Sequence, residues 1–284
     1  MLYFAYGSNL DDENWSAWCN HEGYDPRSIE PLGPAWLPDY ELVFHYQSRL
    51  RKGGALDIRP RRGTAVAGAL FRVNDWEALD AKEGVSGSYY QRLPVTALTH
   101  DGNAHRATTY TVCDARVGEF VPPGPEYRAM VSRGLSRFGH DHEAFLVAAE
   151  GRSPAASPSM LFTYGTLMRG QRGHALIEPR VRCAHGPAHV AGASLVRVDW
   201  YPGLVLGSDG TVRGELYEID GIGTLLQELD IYEEFLGYED PQSLYRRSLL
   251  NVVADEGPAL AWTYVFLGDS DSLPRVSSGF WMDA

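Results

Sequence analysis

The heptapeptide FAYGSNL occupies residues 4–10, and a close variant of it, FTYGTLM, occupies residues 162–168. Both contain Phe-x-Tyr-Gly followed by a hydroxyl-bearing residue, and they begin 158 positions apart in a chain of 284 residues. A motif that returns after about half of a chain indicates an internal repeat. The spacing therefore predicts two domains that share one plan.

Three further landmarks follow each heptapeptide in the same order. A strand-like segment alternates apolar residues with others, which is typical of a half-buried strand. A helical Leu-Asp-x-x-Glu comes next, and Tyr-x-Arg then opens a β-rich run. The first copies are VAGALFRV (66–73), LDAKE (79–83) and YQR (90–92), and the second copies are VRGELYEI (212–219), LDIYE (229–233) and YRR (245–247). One ordered series found twice indicates a duplication.

A linker separates the two copies. The segment EGRSPAASPSM (150–160) is rich in Pro, Ser, Ala and Gly and has no apolar period. It predicts one domain over residues 1–150 and a second over residues 160–284. The first half also contains two predicted helices near its end, in PEYRAMVSRGLSRFG (125–139) and in the segment 140–151, which the second half lacks.

Composition and charge narrow the class of partner. Hydrophobic residues make up 44% and charged residues 22% of the chain, so each half can bury a core of ordinary size. The net charge of −12 disfavours nucleic acid and anionic membrane surfaces. Cys19, Cys113 and Cys183 are too far apart to indicate a disulfide framework or paired zinc ligands. We expect a cytoplasmic protein with a small-molecule partner, no cofactor and no metal.

The quoted stretches resemble the γ-glutamylcyclotransferase superfamily. YGSNL, LDAKEG and PPGPEYRAMVSRGLSRFG (122–139) are similar to the γ-glutamylcyclotransferase branch. FTYGTLMRGQRGH, YPGLVLG, VRGELYEI, LDIYEE and YRR are similar to the branch of γ-glutamylamine cyclotransferases and plant AIG2-like proteins. The resemblance implies an α+β fold with two γ-glutamylcyclotransferase-like domains, each a small mixed β-barrel flanked by helices.

The resemblance also implies a reaction and a set of site residues. The free α-amine of a γ-glutamyl group attacks its own side-chain amide carbonyl, which gives 5-oxoproline and a free amine or amino acid. The implied catalytic residues are Glu83 and Glu233. The implied substrate-binding residues are Tyr6, Gly7, Ser8, Asn9 and Leu10 in the first domain and Tyr164, Gly165, Thr166 and Leu167 in the second. Tyr127 is carried over as a pocket residue, with an ordinary core aromatic as the alternative.

This chemistry needs a carboxylate that carries protons and a pocket that holds the substrate in the reactive geometry. Ring closure is intramolecular, so positioning can contribute several orders of magnitude in rate. A free α-amine has an unperturbed pKa of about 8, so it is mostly ammonium at neutral pH and must lose a proton before it attacks. One glutamate can take that proton and return it to the leaving nitrogen, and burial would raise its pKa toward neutrality. Taken alone, Glu83 also fits a solvated carboxylate at a helix end.

The glycine turns supply the backbone groups of this pocket. Backbone N–H groups in a tight turn can hold the α-carboxylate of the substrate or the oxyanion that develops at the attacked carbonyl. We expect Gly7 and Gly165 to be required because a side chain would block close approach or forbid the dihedral angles of the turn.

Several alternatives stay open. Glu234 is the alternative to Glu233, and the second domain could have lost activity and serve as a scaffold. The stretch RLRKGGALDIRPRRG (49–63) carries six basic residues in an acidic chain. It is either a solvated hairpin or a docking surface for an anionic partner, such as an acidic carrier protein bearing the substrate. The second case would make biosynthetic deprotection the role. A noncatalytic protein that binds a γ-glutamyl metabolite is the rival class.

Overall fold

Each half of the chain folds into a closed β-barrel of five strands, as the computed structural model of residues 1–284 describes them. By its internal contacts the chain divides into two units, residues 1–98 with 105–155 and residues 99–104 with 156–284. No helix of the chain is both long enough and apolar enough to cross a bilayer.

The two barrels have the same construction. The strands of the first are β1 (Leu2–Ala5), β2 (Ile29–Ser48), β3 (Gly53–Val73), β4 (Tyr90–Leu98) and β5 (Ala104–Val112), in the order β1-β3-β2-β4-β5. Those of the second are β6 (Met160–Thr163), β7 (Val181–Arg197), β8 (Pro202–Ile219), β9 (Tyr245–Ala254) and β10 (Gly257–Phe266), in the order β10-β6-β8-β7-β9. A parallel pair, β1 with β5 and β6 with β10, joins otherwise antiparallel strands. The mixed barrels confirm the predicted fold class.

Five α-helices flank the barrels. They are α1 (Asp12–Glu22), α2 (Glu77–Glu83), α3 (Pro125–Arg137), α4 (Glu143–Ala149) and α5 (Ile222–Tyr232). The helices α3 and α4 confirm the pair predicted in the first half. The helix α1 was not predicted from the sequence, although Asp11 caps its first turn and Gly23, with φ of 82°, ends it.

The matched strands β3 and β8 explain why each copy repeats a glycine. A Cβ atom on Gly68 would lie 2.1 Å from the carbonyl oxygen of Ala5, and one on Gly214 would lie 2.1 Å from that of Thr163. The short first strand of each barrel therefore pairs with the long strand so closely at this point that only glycine fits. The first two residues of each heptapeptide lie in this short strand, so the close approach holds the start of the heptapeptide beside the long strand.

Candidate active site

The first unit contains a cavity of about 740 Å³ that brings together residues from distant parts of the chain. Its wall includes most of the site residues predicted for the first half, namely Tyr6, Gly7, Ser8, Asn9, Glu83 and Tyr127. The heptapeptide turn, the end of α2 and the start of α3 thus meet at one place.

Glu83 and Asn9 are in direct contact. The Asn9 Nδ2 atom donates to Glu83 Oε1 at 2.7 Å and to the Tyr3 hydroxyl at 3.0 Å. Glu83 is the last residue of α2, and Gly84 ends the helix in the left-handed conformation with φ of 64°. The helix end therefore holds the carboxylate against the residue that follows Ser8 in the turn.

Glu83 has the electrostatic character of a proton carrier. Burial raises the pKa of Glu83, while the bond from Asn9 and the charges of Lys82 and Arg51 oppose that rise. Its side chain remains half-buried, because one side of it faces the open cavity. The carboxylate can therefore exchange a proton with a bound molecule.

Two cations line the same cavity as this carboxylate, and neither was predicted as a site residue from the sequence. Arg51 lies in the turn between β2 and β3, and its Nη2 atom donates to Ser8 Oγ at 3.1 Å. The Lys82 Nζ atom lies 4.9 Å from the centroid of the Trp18 ring, and burial lowers the pKa of Lys82 to about 8. Position 51 was counted only within the basic stretch 49–63.

The hydroxyl groups of two predicted pocket tyrosines are bound to the protein itself. Tyr6 donates to the carbonyl oxygen of Tyr110 at 2.7 Å, and the Tyr127 hydroxyl accepts the N–H of Leu56 at 3.3 Å. Burial raises the pKa of Tyr127 to about 12. Both tyrosines line the cavity, so they shape its wall while holding β3 and β5 in place.

Two parts of the predicted role of the first turn need correction. Gly7 has φ of −125°, which lies outside the left-handed region that favours glycine. A Cβ atom there would have Tyr127 Oη at 3.6 Å as its nearest neighbour, so a side chain would project toward the cavity lining without a clash. Leu10 is fully buried, and a Cβ on Gly134 of α3 would lie 2.5 Å from Leu10 Cβ. Leu10 thus belongs to the core and is not part of the cavity wall, contrary to the predicted place in the pocket.

The second unit places Glu233 beside its own tyrosines. Burial raises the pKa of Glu233 to about 8. Burial is the main cause that raises the pKa of Tyr164, and electrostatic interactions with Tyr245 and then with Glu233 raise it further. The Glu233 carboxylate therefore lies near Tyr164 of the second heptapeptide. The alternative residue, Glu234, is exposed. Glu233 is therefore the better candidate of the two.

The second site lacks the polar partners of the first. At the positions of Asn9, Lys82 and Arg51 the second unit has Leu167, Tyr232 and Trp200. The Tyr232 hydroxyl donates to Thr166 Oγ1 at 3.1 Å, and the exposed Arg172 stacks on the Trp200 ring. A Cβ on Gly165 would lie 2.3 Å from Pro202 Cγ. The missing side chain at position 165 therefore leaves room for the Pro202 ring of the same chain. The predicted need of Gly165 for unusual dihedral angles is wrong, since its φ is not positive.

The Asp and Arg of the repeated motifs form an ion pair in the first unit, a contact that was not predicted from the sequence. Asp80 accepts Arg92 Nη2 at 2.6 Å and the Tyr110 hydroxyl at 2.7 Å. Asp80 lies three residues before Glu83, on the same short helix. The cluster therefore anchors the helix whose last residue is the candidate catalytic carboxylate.

The second unit repeats this anchor in a more buried form. Asp230 accepts Arg247 Nη1 at 2.7 Å and the Tyr264 hydroxyl at 2.8 Å. The side chain of Arg247 is 0% exposed and that of Asp230 is 2% exposed. The signal was present in the sequence, because opposite charges recur in two motifs at matched positions in both halves. The anchor again lies three residues before the glutamate.

The basic stretch does not present all of its charge to solvent. Arg59 Nε donates to Glu41 Oε1 at 3.0 Å, and Arg61 Nη1 donates to Glu41 Oε2 at 3.0 Å. The Glu41 carboxylate is nearly fully buried between them. These contacts favour a solvated hairpin with internal ion pairs and give no support to a carrier-protein surface.

Comparison with known proteins identifies the family. The family model described as Gamma-glutamyl cyclotransferase, AIG2-like matches the chain twice, over residues 3–129 and 161–283. The gamma-L-glutamyl-butirosin B gamma-glutamyl cyclotransferase of Niallia circulans is 34% identical over 117 residues, which are 41% of this chain and 72% of that relative. The gamma-glutamylcyclotransferase of Bos taurus is 30% identical over 145 residues, which are 49% of this chain and 72% of that relative.

A solved structure named Gamma-glutamyl cyclotransferase is 28% identical and covers 54% of this chain and 88% of its own, with a TM-score of 0.46. The twofold match to the family, with relatives of this name, confirms the resemblance drawn from the motifs. The chain is a tandem duplication within the gamma-glutamyl cyclotransferase, AIG2-like family and an enzyme of the γ-glutamylcyclotransferase type.

Proposed function

We propose that the first domain cyclises γ-glutamyl amides and that Glu83 carries the proton from the α-amine to the leaving nitrogen. The observation that carries this proposal is the 2.7 Å bond from Asn9 to Glu83. It joins a carboxylate of raised pKa to the heptapeptide turn, inside a cavity large enough for a small molecule.

The proposed steps need one carboxylate. The γ-glutamyl chain folds back until its α-amine faces Glu83, which accepts a proton from it. The amine nitrogen then forms the ring C–N bond at the γ-carbonyl carbon, and the original C–N bond breaks. The ring nitrogen gives up two protons in all and the leaving amine receives two, so a group that takes and returns protons balances the reaction.

The heptapeptide turn supplies donors for the developing oxyanion. Residues Ser8–Leu10 form a short 3₁₀ turn, and the N–H groups at the start of such a turn have no acceptor within it. Ser8 and Asn9 both line the cavity. We assign their N–H groups to the oxygen of the attacked carbonyl, where preorganised donors have the largest effect on rate.

The charge of the cavity favours a neutral or acidic leaving amine. Its basic lining residues are Arg49, Arg51, Lys82 and Arg116, and its acidic ones are Glu22 and Glu83. A γ-glutamyl group fills only part of about 740 Å³, so the leaving portion lies among these charges. A strongly cationic leaving amine would be repelled there.

Removal of a γ-glutamyl group from a biosynthetic intermediate is a second candidate role. The 34% identity with the Niallia circulans relative, whose name refers to γ-L-glutamyl-butirosin B, favours it. The two roles separate when γ-glutamyl amino acids and γ-L-glutamyl-butirosin B are offered side by side. A higher kcat/KM for the first group supports the charge argument, and the reverse order supports deprotection.

We propose the same proton-carrying role for Glu233 in the second domain, with a scaffold that has lost activity as the alternative. The raised pKa of Glu233 and its half-buried position near Tyr164 support the first interpretation. The matched variants Glu83→Gln and Glu233→Gln, made separately in the full chain, discriminate between them. A domain that turns over substrate loses its share of the rate when its own glutamate is replaced.

The direct test is the formation of 5-oxoproline from a panel of γ-glutamyl amino acids and amines. For the substrates of the first domain, Glu83→Gln should reduce kcat by roughly 10²- to 10⁴-fold, the usual range for a general acid–base group. The noncatalytic rival predicts saturable binding without product. No turnover of any panel member by correctly folded protein would refute the proposal.

The carrier protein and the compartment stay predictions. Arg59 and Arg61 are paired with Glu41, so a free small substrate is the simpler partner. We place the enzyme in the cytoplasm because the sequence shows no disulfide framework.

A further inference from the structure

We propose that Arg51 binds the α-carboxylate of the γ-glutamyl group and is the substrate-anchoring residue of the first domain. The inference rests on the proposed function of that domain. It adds a side chain from the turn between β2 and β3 to a site that the motifs alone would build from the heptapeptide and α2.

The guanidinium of Arg51 is held from two sides. Its Nη2 atom donates to Ser8 Oγ at 3.1 Å, and its Nη1 atom lies 3.7 Å from Met130 Sδ. Its carbon Cζ lies 5.1 Å from the centroid of the Tyr127 ring. A planar group fixed in this way loses little further freedom when it binds a carboxylate.

Arg51 has unused donors. A guanidinium carries five N–H donors, and these contacts engage two of its nitrogen atoms with a hydroxyl oxygen and a weak sulfur acceptor. No carboxylate lies within ion-pair distance of Arg51, whereas Arg59 and Arg61 of the same hairpin both pair with Glu41. Arg51 lines the cavity, so an anion there could form a bidentate pair with it.

The contacts of neighbouring residues in the heptapeptide turn indicate which anionic group of the substrate would bind Arg51. Asn9 binds Glu83, and the preceding residue, Ser8, binds Arg51. In a γ-glutamyl group the α-amine and the α-carboxylate are attached to the same carbon atom. If the amine lies at Glu83, the carboxylate must lie in an adjoining place, and the adjoining residue of the turn presents the guanidinium.

The second domain lacks this arrangement. The turn between β7 and β8 has the same length, and Trp200 stands where the first domain has Arg51. The first-domain turn also supplies a matched control. Lys52 is the next residue, is exposed, and is not part of the cavity wall.

The experiment measures 5-oxoproline release by the full chain carrying Glu233→Gln, which isolates the first domain. The substrates are γ-glutamylalanine and its counterpart in which the glutamyl α-carboxylate is a carboxamide. Arg51→Gln should raise KM for the acid by roughly 10- to 100-fold, the range for loss of a charge-assisted hydrogen bond, and change KM for the carboxamide by less than about threefold. Lys52→Gln should change neither by more than about twofold.

Arg51→Lys keeps the charge but loses the planar fork, so its KM for the acid should lie between those of the parent and Arg51→Gln. Equal losses on both substrates, or no difference from Lys52→Gln, would overturn the role of Arg51. Removal of the Arg51 charge should also raise the pKa of Glu83 and move the acidic limb of the pH profile, equally for both substrates. A loss in kcat without a larger rise in KM for the acid than for the carboxamide would overturn the proposal, because Arg51 would then act only through Glu83. A parent enzyme that releases no 5-oxoproline refutes the proposed function instead.

Discussion

The change Asn9→Leu should convert the charge environment of Glu83 toward that of Glu233, because the second domain has Leu167 at this position. The Asn9 side chain donates to Glu83 at 2.7 Å and is 3% exposed. Leucine has a similar size and no donor. We expect the variant to fold and to retain the cavity while the ionised form of Glu83 loses a hydrogen bond.

The size of the effect follows from that bond. A hydrogen bond to a charged group contributes about 1.5–3 kcal/mol, and 1.36 kcal/mol corresponds to one pKa unit. Asn9 lowers the pKa of Glu83 by favouring its ionised form, so its removal raises that pKa. The expected rise is about 1–2 units. Lys82 and Arg51 remain and keep the pKa of Glu83 below the value that burial alone would give.

The assay is the pH dependence of kcat/KM, which reports the ionisations of the free enzyme and free substrate. A base that must be ionised loses activity as pH falls through its pKa, so the acidic limb should move to higher pH by about 1–2 units in Asn9→Leu. Tyr3→Phe is the matched control. It removes the other partner of the Asn9 amide and leaves the bond to Glu83 in place.

An acidic limb that stays where it is in the parent, or that moves equally in Tyr3→Phe, would refute the reasoning. In that case Glu83 would not be the base that titrates on this limb. A thermal melt of both variants shows that a shift in the limb reflects the site and not partial unfolding.

Three further outcomes are expected. In a Glu83→Gln background, any remaining turnover should increase as pH rises through about 8. Burial raises the pKa of Glu233 to about 8, and this base must lose its proton before it acts. A flat pH profile would contradict this expectation. Gly165→Ala should lower the free energy of unfolding by about 1–3 kcal/mol, since its Cβ would lie 2.3 Å from Pro202 Cγ, and denaturant melts test this loss. Gly7→Ala should leave stability within about 0.5 kcal/mol but raise KM, because its methyl group enters the cavity; an unchanged KM would contradict that position.

Local sequence patterns were sufficient for the repeated plan. The apolar alternation of residues 66–73 and 212–219 marks parts of β3 and β8, and the helical spacing around Glu83 and Glu233 marks α2 and the end of α5. The linker composition around 150–160 falls between the two barrels. Periodicity depends on neighbours along the chain, so a single sequence can reveal it.

The contacts of Arg51 and of Asp80 could not be read in the same way. Arg51 reaches Ser8 only because a four-residue turn at the tip of a long hairpin directs its side chain toward the cavity. Asp80 of α2 meets Arg92 of β4, and spacing along the chain does not show which side chains meet in space. The repetition of both charges in two halves was the one signal available for the second contact.

The structure separates what the duplication kept from what it changed. Each unit keeps the aspartate, arginine and tyrosine that fix the helix before the glutamate, so the carboxylate is delivered to the same place in each barrel. The residues that set its charge differ, because an amide and two cations in the first unit are replaced by apolar and aromatic side chains in the second. The Asn9 bond and the charges of Lys82 and Arg51 oppose the rise in the pKa of Glu83, whereas burial alone acts on Glu233. We therefore propose that the acidity of the glutamate, rather than its placement, is the property in which the two domains have diverged, and we expect the two bases to act best at different pH.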